Sequence, residues 1–260
     1  MILDEHPQTL ILTGPTGSGK SQLALALAER LGAEIVSMDS MTLYRRMDIG
    51  TAKPSAEERR RVPHHLIDVL EAWESASVAW WLERAVACCR DIAERGKRPL
   101  IVGGTPLYLK ALLYGLFEGP SGDEAIRRRL IAEAEALGSA VLHARLAVVD
   151  PVSAERLHPN DVRRIVRALE VWELTGRPLS AWQTQWRQRA GSASDGMNVA
   201  YASGSSPVLC LDTPRDELYA RIDARVQRMI AEGWLEEARQ LRQLQEPLSR
   251  QAAQALGYKE

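Results

Sequence analysis

Eight consecutive residues, Gly14-Pro15-Thr16-Gly17-Ser18-Gly19-Lys20-Ser21, satisfy the pattern G-x-x-x-x-G-K-[ST] at each required position. The chemistry of such a stretch is phosphate binding. Its glycines let the backbone curl until successive N–H groups point at phosphate oxygens, and a following helix adds the positive end of its dipole. Lys20 supplies a mobile cation for a terminal phosphate, and the Ser21 hydroxyl suits a Mg²⁺ ion. The elements that must position the loop flank it. Thr9 to Thr13 is a short apolar, β-branched run that reads as a buried strand, and Gln22 to Arg30 reads as a Leu/Ala-rich helix closed by Gly32. The chain is expected to hold a di- or triphosphate.

A length of 260 residues suits one α/β domain with an insertion, or two small domains. A formal net charge of -1 excludes a globally basic nucleic-acid binder while leaving room for a local basic surface. Cys88 and Cys89 adjoin within a helical pattern and Cys210 lies in an apolar run. None has metal-ligand spacing, so all three are expected to be buried structural thiols in a reducing compartment. Without a signal peptide or a membrane-length apolar run, a soluble cytoplasmic protein, without membrane partners and monomeric, is the expectation.

Along the chain, 33–38 reads as a second strand ending in Asp39-Ser40, an acid on the sheet edge where ligands bind in open α/β folds. Glu57 to Arg61 is the solvated face of a helix. His64-His65 precedes a short strand at 66–69. Successive strand positions point to opposite faces, which makes the pair a poor chelate and favours packing or substrate contact. Val78 to Ile92 has the spacing of an amphipathic helix, with one of Trp80 and Trp81 in the core. Residues 99–102 form a strand running into Gly103-Gly104-Thr105, and a helix covers 107–116. This alternation predicts a parallel sheet wrapped by helices. From Asp123 to Ala190 the rhythm is helical, with 11 arginines and no lysine against 9 acids. Arg127-Arg128-Arg129 and Arg163, Arg164 and Arg167 form clusters, interleaved with Trp172, Trp182 and Trp186. A solvated arginine face and an RNA contact both fit this composition. A Gly/Ser-rich link at 191–206 leads to a strand at 207–211 and a helix at 216–232. That helix presents Leu218, Ile222, Val226, Met229 and Ile230 to the core, leaving Arg221, Arg225 and Arg228 elsewhere. The organisation is therefore an α/β core from 1–118 and 200–260, interrupted by an all-helical insertion at 119–199.

A phosphate loop alone leaves motors, switches and kinases open. The strand at 100–102 ends in Gly103-Gly104-Thr105 rather than in the acid that holds Mg²⁺ in nucleotide hydrolases, and the strand-end acid near the loop is Asp39. This favours an enzyme in which phosphate is a handle or leaving group for a second substrate. The residues then carry a resemblance. The loop at 14–21, Asp39-Ser40 with Tyr44, Met47-Asp48-Ile49-Gly50-Thr51-Ala52-Lys53-Pro54, Pro63-His64-His65-Leu66, Val102-Gly103-Gly104-Thr105 with Leu107-Tyr108, and His158-Pro159-Asn160-Asp161 with Arg167-Ala168-Leu169-Glu170 occur in this order. Together they resemble the tRNA dimethylallyltransferases, also called tRNA isopentenyltransferases, over nearly the whole chain.

The resemblance implies a P-loop NTPase-like fold and transfer of a dimethylallyl group from dimethylallyl diphosphate to N6 of the adenosine 3′ of the anticodon. It assigns Asp39 to the N6 amine, Thr105 to the diphosphate near the scissile oxygen, and Lys20 and Arg225 to diphosphate charge, with Mg²⁺ as cofactor. It assigns Asp39, Ser40, Met41, Thr42, Arg127, Arg163, Arg164, Ile165, Val166 and Arg167 to tRNA-contacting stretches of an anticodon stem-loop site. Three departures stand out. Thr42 occupies a position where relatives often carry Gln, Pro106 stands where a small flexible residue is common, and relatives continue beyond a Gly-Tyr pair matching Gly257-Tyr258. Apolar surface is therefore expected to be exposed where later helices pack. The alternatives are an isopentenyltransferase acting on free adenine nucleotides, a small-molecule kinase, and a tRNA-binding protein without catalysis.

Overall fold

The computed structural model describes residues 8–116, 119–183 and 208–259. In chain order the elements are β1 Leu10–Thr13, α1 Lys20–Leu31, β2 Ala33–Ser37, α2 Ala56–Arg61, β3 His64–His65, α3 Val78–Glu94, β4 Arg98–Val102 and α4 Pro106–Tyr114. There follow α5 Glu124–Leu137, α6 Ser139–Val149, α7 Pro151–Arg156, α8 Val162–Thr175 and α9 Leu179–Trp182, then β5 Val208–Cys210, α10 Arg215–Ala231, α11 Trp234–Arg242 and a 3₁₀ turn at Ala252–Gln254. The chain divides into two compact units, Met1–Leu113 with Tyr201–Glu260, and Tyr114–Ala200. The Gly/Ser-rich 191–206 stretch and Trp186 lie outside the described residues.

In the first unit five strands form a wholly parallel sheet in the order β3-β2-β4-β1-β5. Parallel strands joined by helical crossovers are covered on both faces, which explains why all five residues of β2 are buried. Alternation along the strands splits the core in two. Ile11, Val36 and Ile101 pack with Trp81, Ala85, Cys89 and Ile92 of α3 and with Tyr108 and Leu112 of α4. Leu12, Ile35 and Leu100 pack on the other face with Ala24, Leu25 and Ala28 of α1. Of the two tryptophans that start α3, Trp81 is fully buried. Its ring stacks on Tyr108 at 4.2 Å, and its Nε1 donates to the Ser37 carbonyl at 3.0 Å. Trp80 is partly exposed, with the Arg84 guanidinium 4.0 Å above its ring.

The structure corrects three local expectations. The strand near the histidines is His64–His65 itself, paired with Ile35 and Val36, rather than the residues that follow. His65 Nε2 lies 2.8 Å from Glu34 Oε2 and His64 Nδ1 lies 2.7 Å from the Val62 carbonyl, so each half-buried ring has a partner within the protein. Cys210 is exposed because β5 is the outer strand of the sheet. On α10 the apolar stripe is only shallowly covered. Met229 is buried, Leu218, Ile222 and Val226 are half-buried, and Ile230 is exposed, while Arg225 is half-buried with them.

The second unit contains helices alone among its described residues. Leu130, Leu142, Leu146, Ile165, Val166 and Leu169 meet in its core. Its helices start where short acids can accept the first free N–H groups: Asp123, Asp150 and Asp161 cap α5, α7 and α8.

Glu34 is the most strongly perturbed acid at the sheet. Hydrogen bonds from the Arg95 guanidinium, aided by His65, outweigh burial and hold its carboxyl at about 2. A folded-state value depressed below the ordinary carboxylate range contributes stability above that range, and this is lost as pH falls toward 2. Glu34→Gln should therefore cost roughly 2 kcal/mol at neutral pH and flatten the loss of stability between about pH 4.5 and 2. Urea unfolding at neutral and acid pH measures both effects, and an unchanged acid limb would contradict the assignment.

Candidate active site

The parallel register brings the carboxyl ends of four strands to one edge. Ser37 pairs with Val102, Leu12 with Val102, and Thr13 with Cys210. The ladder continues past the strand ends, with Met38 N–H donating to Val102 O, Gly103 N–H to Leu12 O and Leu211 N–H to Thr13 O. Three loops thus leave side by side: 14–19, 38–42 and 103–105. Two glycines permit the crowding. A Cβ on Gly103 would lie 2.1 Å from the Met38 carbonyl oxygen, and one on Gly14, at φ +149°, would lie 2.9 Å from the Leu211 carbonyl oxygen.

The loop from Gly14 to Gly19 curls over the start of α1. Gly19 is left-handed at φ 86° and no side chain caps the helix, leaving its first N–H groups directed into the loop. The Ser18 hydroxyl is buried inside the curl with no protein partner, which is a donor suited to an anion. Pro15 and Thr16 are exposed at the tip, Gly17 packs toward α10, and Ser21 is exposed on the first turn of α1. Lys20 folds back so that Nζ donates to the carbonyls of Gly14 and Pro15, both at 2.7 Å.

The other two loops complete the cluster. A Cβ at Gly104 would lie 3.7 Å from Lys20 Nζ, and the next residue, Thr105, accepts the Ser40 N–H on Oγ1 at 3.1 Å. Pro106 is the first residue of α4, where its fixed φ and missing N–H suit the helix start. Asp39 Oδ1 accepts the Met41 N–H at 2.8 Å, closing a turn that aims the carboxyl group along the edge. Asp39 and Arg225 both act electrostatically on Lys20. Burial depresses the Lys20 ammonium pKa and the Arg225 charge lowers it further, while Asp39 opposes both. Burial likewise lowers Arg225, with Asp39 opposing. The structure therefore gathers Lys20, Asp39, Thr105 and Arg225 from four separate segments at one strand edge. Two half-buried cations beside one carboxylate leave a positive balance that a phosphate dianion relieves.

Among the residues assigned to RNA contact, the structure separates surface from scaffold. Ser40 and Met41 are half-buried, and Met41 packs against the core. Thr42 is buried, its hydroxyl 2.8 Å from Ser37 Oγ and donating to the Asp39 carbonyl, so it braces the Asp39 turn instead of facing outward. Ile165 and Val166 turn their side chains into the helical core, where both are buried, so within this stretch the arginines form the surface. Arg127 and Arg167 grip the fully buried Glu170 carboxylate at 2.8 and 2.5 Å. Arg164 pairs with Asp161 at 2.9 Å while largely exposed, and Arg163 is exposed. Spacing gave no sign of the Lys53 ion cluster, in which a buried ammonium meets Asp48 of its own loop at 2.7 Å and Asp68 at 2.5 Å, because Asp68 comes from the separate loop after β3.

The family model described as IPP transferase matches residues 42–260, and one described as isopentenyl transferase matches 7–68. The chain is 50% identical to the tRNA dimethylallyltransferase of Geobacter metallireducens over 99% of its length and 80% of that protein's. It is 47% identical to the tRNA dimethylallyltransferase of Desulfosudis oleivorans, covering 98% of this chain and 77% of that one. Its fold matches the crystal structure of the full-length tRNA isopentenylpyrophosphate transferase of Bacillus halodurans with a TM-score of 0.60 at 39% identity, over 97% of this chain and 75% of that one. It also matches a eukaryotic dimethylallyltransferase acting on tRNA with a TM-score of 0.68 at 29% identity, over 90% of this chain and 55% of that one. A phosphate loop, a strand-end carboxylate and a helical unit in this order, with identity of this extent along nearly the whole chain, make it a member of the tRNA dimethylallyltransferase family.

Proposed function

We propose that the chain transfers a dimethylallyl group from dimethylallyl diphosphate to N6 of the adenosine immediately 3′ of the anticodon, releasing diphosphate. The observation that carries this reading is the placement of Asp39 at one strand edge with Lys20 and Arg225. A reaction in which a neutral amine attacks carbon while a polyanion departs needs a proton acceptor and a cation set side by side.

In this reading the phosphate loop, Lys20 and Arg225 bind the diphosphate and stabilise the charge that grows on it as the C1–O bond breaks. Thr105, whose Oγ1 accepts the Ser40 N–H, has its hydroxyl hydrogen free to turn toward the bridging oxygen. The N6 lone pair forms the new C–N bond, and Asp39 accepts a hydrogen bond and then the proton from that amine. The adenine leaves its stack to reach the edge, as bases do in other modifying enzymes. Mg²⁺ would suit the hard oxygen donors at the start of α1, where the Ser21 hydroxyl would hold it together with the bound phosphate, and it would neutralise diphosphate charge. In the helical unit, Arg163 and Arg164 present exposed guanidinium groups to RNA phosphate, while Glu170 fixes the directions of Arg127 and Arg167.

A transfer assay tests this directly: Mg²⁺, dimethylallyl diphosphate and an anticodon stem-loop with adenosine at the target position, followed by mass measurement of the RNA. Gain of one dimethylallyl group is expected, whereas gain on free AMP and not on RNA would favour the nucleotide-modifying alternative. Asp39→Asn keeps the acceptor for the Met41 N–H but loses basicity. It should lower kcat by about 10²-fold or more while leaving diphosphate affinity within a few-fold. Parallel loss of both would place Asp39 in the fold or at the metal.

Anion binding should also reverse the depression of the Lys20 pKa, because the added negative charge favours the ammonium form. At alkaline pH, diphosphate binding is expected to take up protons, seen as a calorimetric enthalpy that varies with buffer ionisation heat. Lys20→Met should remove that dependence, and its persistence would assign the uptake elsewhere.

A further inference from the structure

One carboxylate ties together the two segments that carry Asp39 and Arg225. Glu237, on α11, accepts hydrogen bonds from three successive backbone N–H groups of the loop between β2 and α2. Asp48 and Ile49 donate to Oε2 at 2.9 Å, and Gly50 donates to Oε1 at 3.2 Å. The Tyr258 hydroxyl donates to the same carboxylate and accepts the Gly50 N–H at 3.0 Å. Successive N–H groups turned to one side form an anion nest, and here the occupant is a side chain of the same protein. The fit is tight. A Cβ on Gly50 would lie 2.1 Å from Trp234 Nε1, and one on Gly257 would lie 1.8 Å from the Trp234 ring.

The two segments need such a tie. Of the 17 residues of α10, Met229 alone is buried, so the helix has little apolar cover of its own. It passes over the phosphate loop at Ile222, whose Cγ1 would lie 3.1 Å from a Cβ at Gly17, and Arg225 sits three residues further along. After Gly233, at φ 102°, the chain turns into α11, which carries Glu237. The receiving loop is anchored where Glu237 meets it, because Lys53 is buried and bonds the Tyr44 carbonyl, Asp48 and Asp68. Upstream, that loop begins with the Asp39 turn.

We propose that Glu237 is a positioning residue for diphosphate recognition. By seating in the nest of residues 48–50, it clasps the α10–α11 hairpin to the loop that starts at Asp39 and so keeps Arg225 beside Lys20. This rests on reading the strand edge as a diphosphate site.

The test compares Glu237→Gln, Arg225→Ala and the double variant with the unaltered chain. Calorimetry with inorganic diphosphate and Mg²⁺ gives the affinity, and amide hydrogen exchange reports on 215–242. A glutamine offers one acceptor oxygen and sets an NH₂ group against the N–H nest. Glu237→Gln should therefore weaken diphosphate binding about tenfold and speed exchange along α10 and α11. In the Arg225→Ala background it should weaken binding no further. KM for the stem-loop RNA should stay unchanged. Additive losses in the double variant, or an equal rise in the RNA KM, would overturn the proposal in favour of general destabilisation. Should Glu237→Gln fail to fold, Tyr258→Phe removes one donor from the same carboxylate and must show the same pattern at smaller size, and its absence would overturn the proposal equally. Wild-type protein that binds no diphosphate would instead refute the site reading, while faster exchange at α10 in Glu237→Gln would still show the clasp.

Discussion

Parallel pairing of β4 with β1 on one side and β2 on the other is the constraint from which the site follows. All strands run the same way, so every strand delivers its carboxyl end to the same edge, and the loops that leave there meet whatever their distance in sequence. Register does the rest. Val102 lies opposite both Leu12 and Ser37, and the next residues continue the ladder through Gly103 and Met38. A shift by one residue would turn Ile11, Ile101 and Val36 away from the α3 side of the core, so burial on both faces enforces the alignment. Trp81 adds a direct brace, hydrogen-bonding the Ser37 carbonyl just before the chain turns to Asp39.

The cations of the protein divide by how their charge is met. Lys53 is buried against two carboxylates, and Arg127 and Arg167 share the buried Glu170. Those groups are structural, since removing either partner would leave a charge without compensation in a poorly solvated place. Lys20 differs. It is held by two neutral carbonyls of its own loop, and both burial and the neighbouring Arg225 act against its charge. A cation kept in that condition gains most when a polyanion arrives.

The helical unit applies the same economy to arginine. Its core is assembled from Leu130, Leu142, Leu146, Ile165 and Leu169, and acids cap the helix starts. Glu170 projects from α8 into this apolar setting and draws in Arg127 from α5 and Arg167 from its own helix, while its Oε1 accepts the Asp123 N–H at 2.6 Å. One buried carboxylate thereby orients two guanidinium groups and fixes the chain's entry into α5. Arg163 and Arg164 point outward on α8, with Arg164 paired to Asp161.

Elements whose signals are local could be read from the order of residues alone. The phosphate loop, the strands around it and the amphipathic α3 are legible because spacing within a few residues dictates their backbone and burial. The strand-end position of Asp39 is legible for the same reason. The all-helical stretch after residue 123 follows from its periodicity. The remaining features depend on groups that folding brings together from afar. Ile165 and Val166 lie beside arginines in sequence but turn inward, since neighbouring helix positions point about 100° apart. Thr42 faces Ser37 because the Asp39 turn folds it back. The shallow burial of α10, where Met229 is the one buried residue, is something its apolar stripe could not reveal. Glu237 is one acid among many on an ordinary amphipathic helix, and it gained its partners only when Gly50 and Gly257 let the backbone close on Trp234. Periodicity encodes which face is buried, whereas the identity of a distant hydrogen-bond partner is set only once the chain has closed.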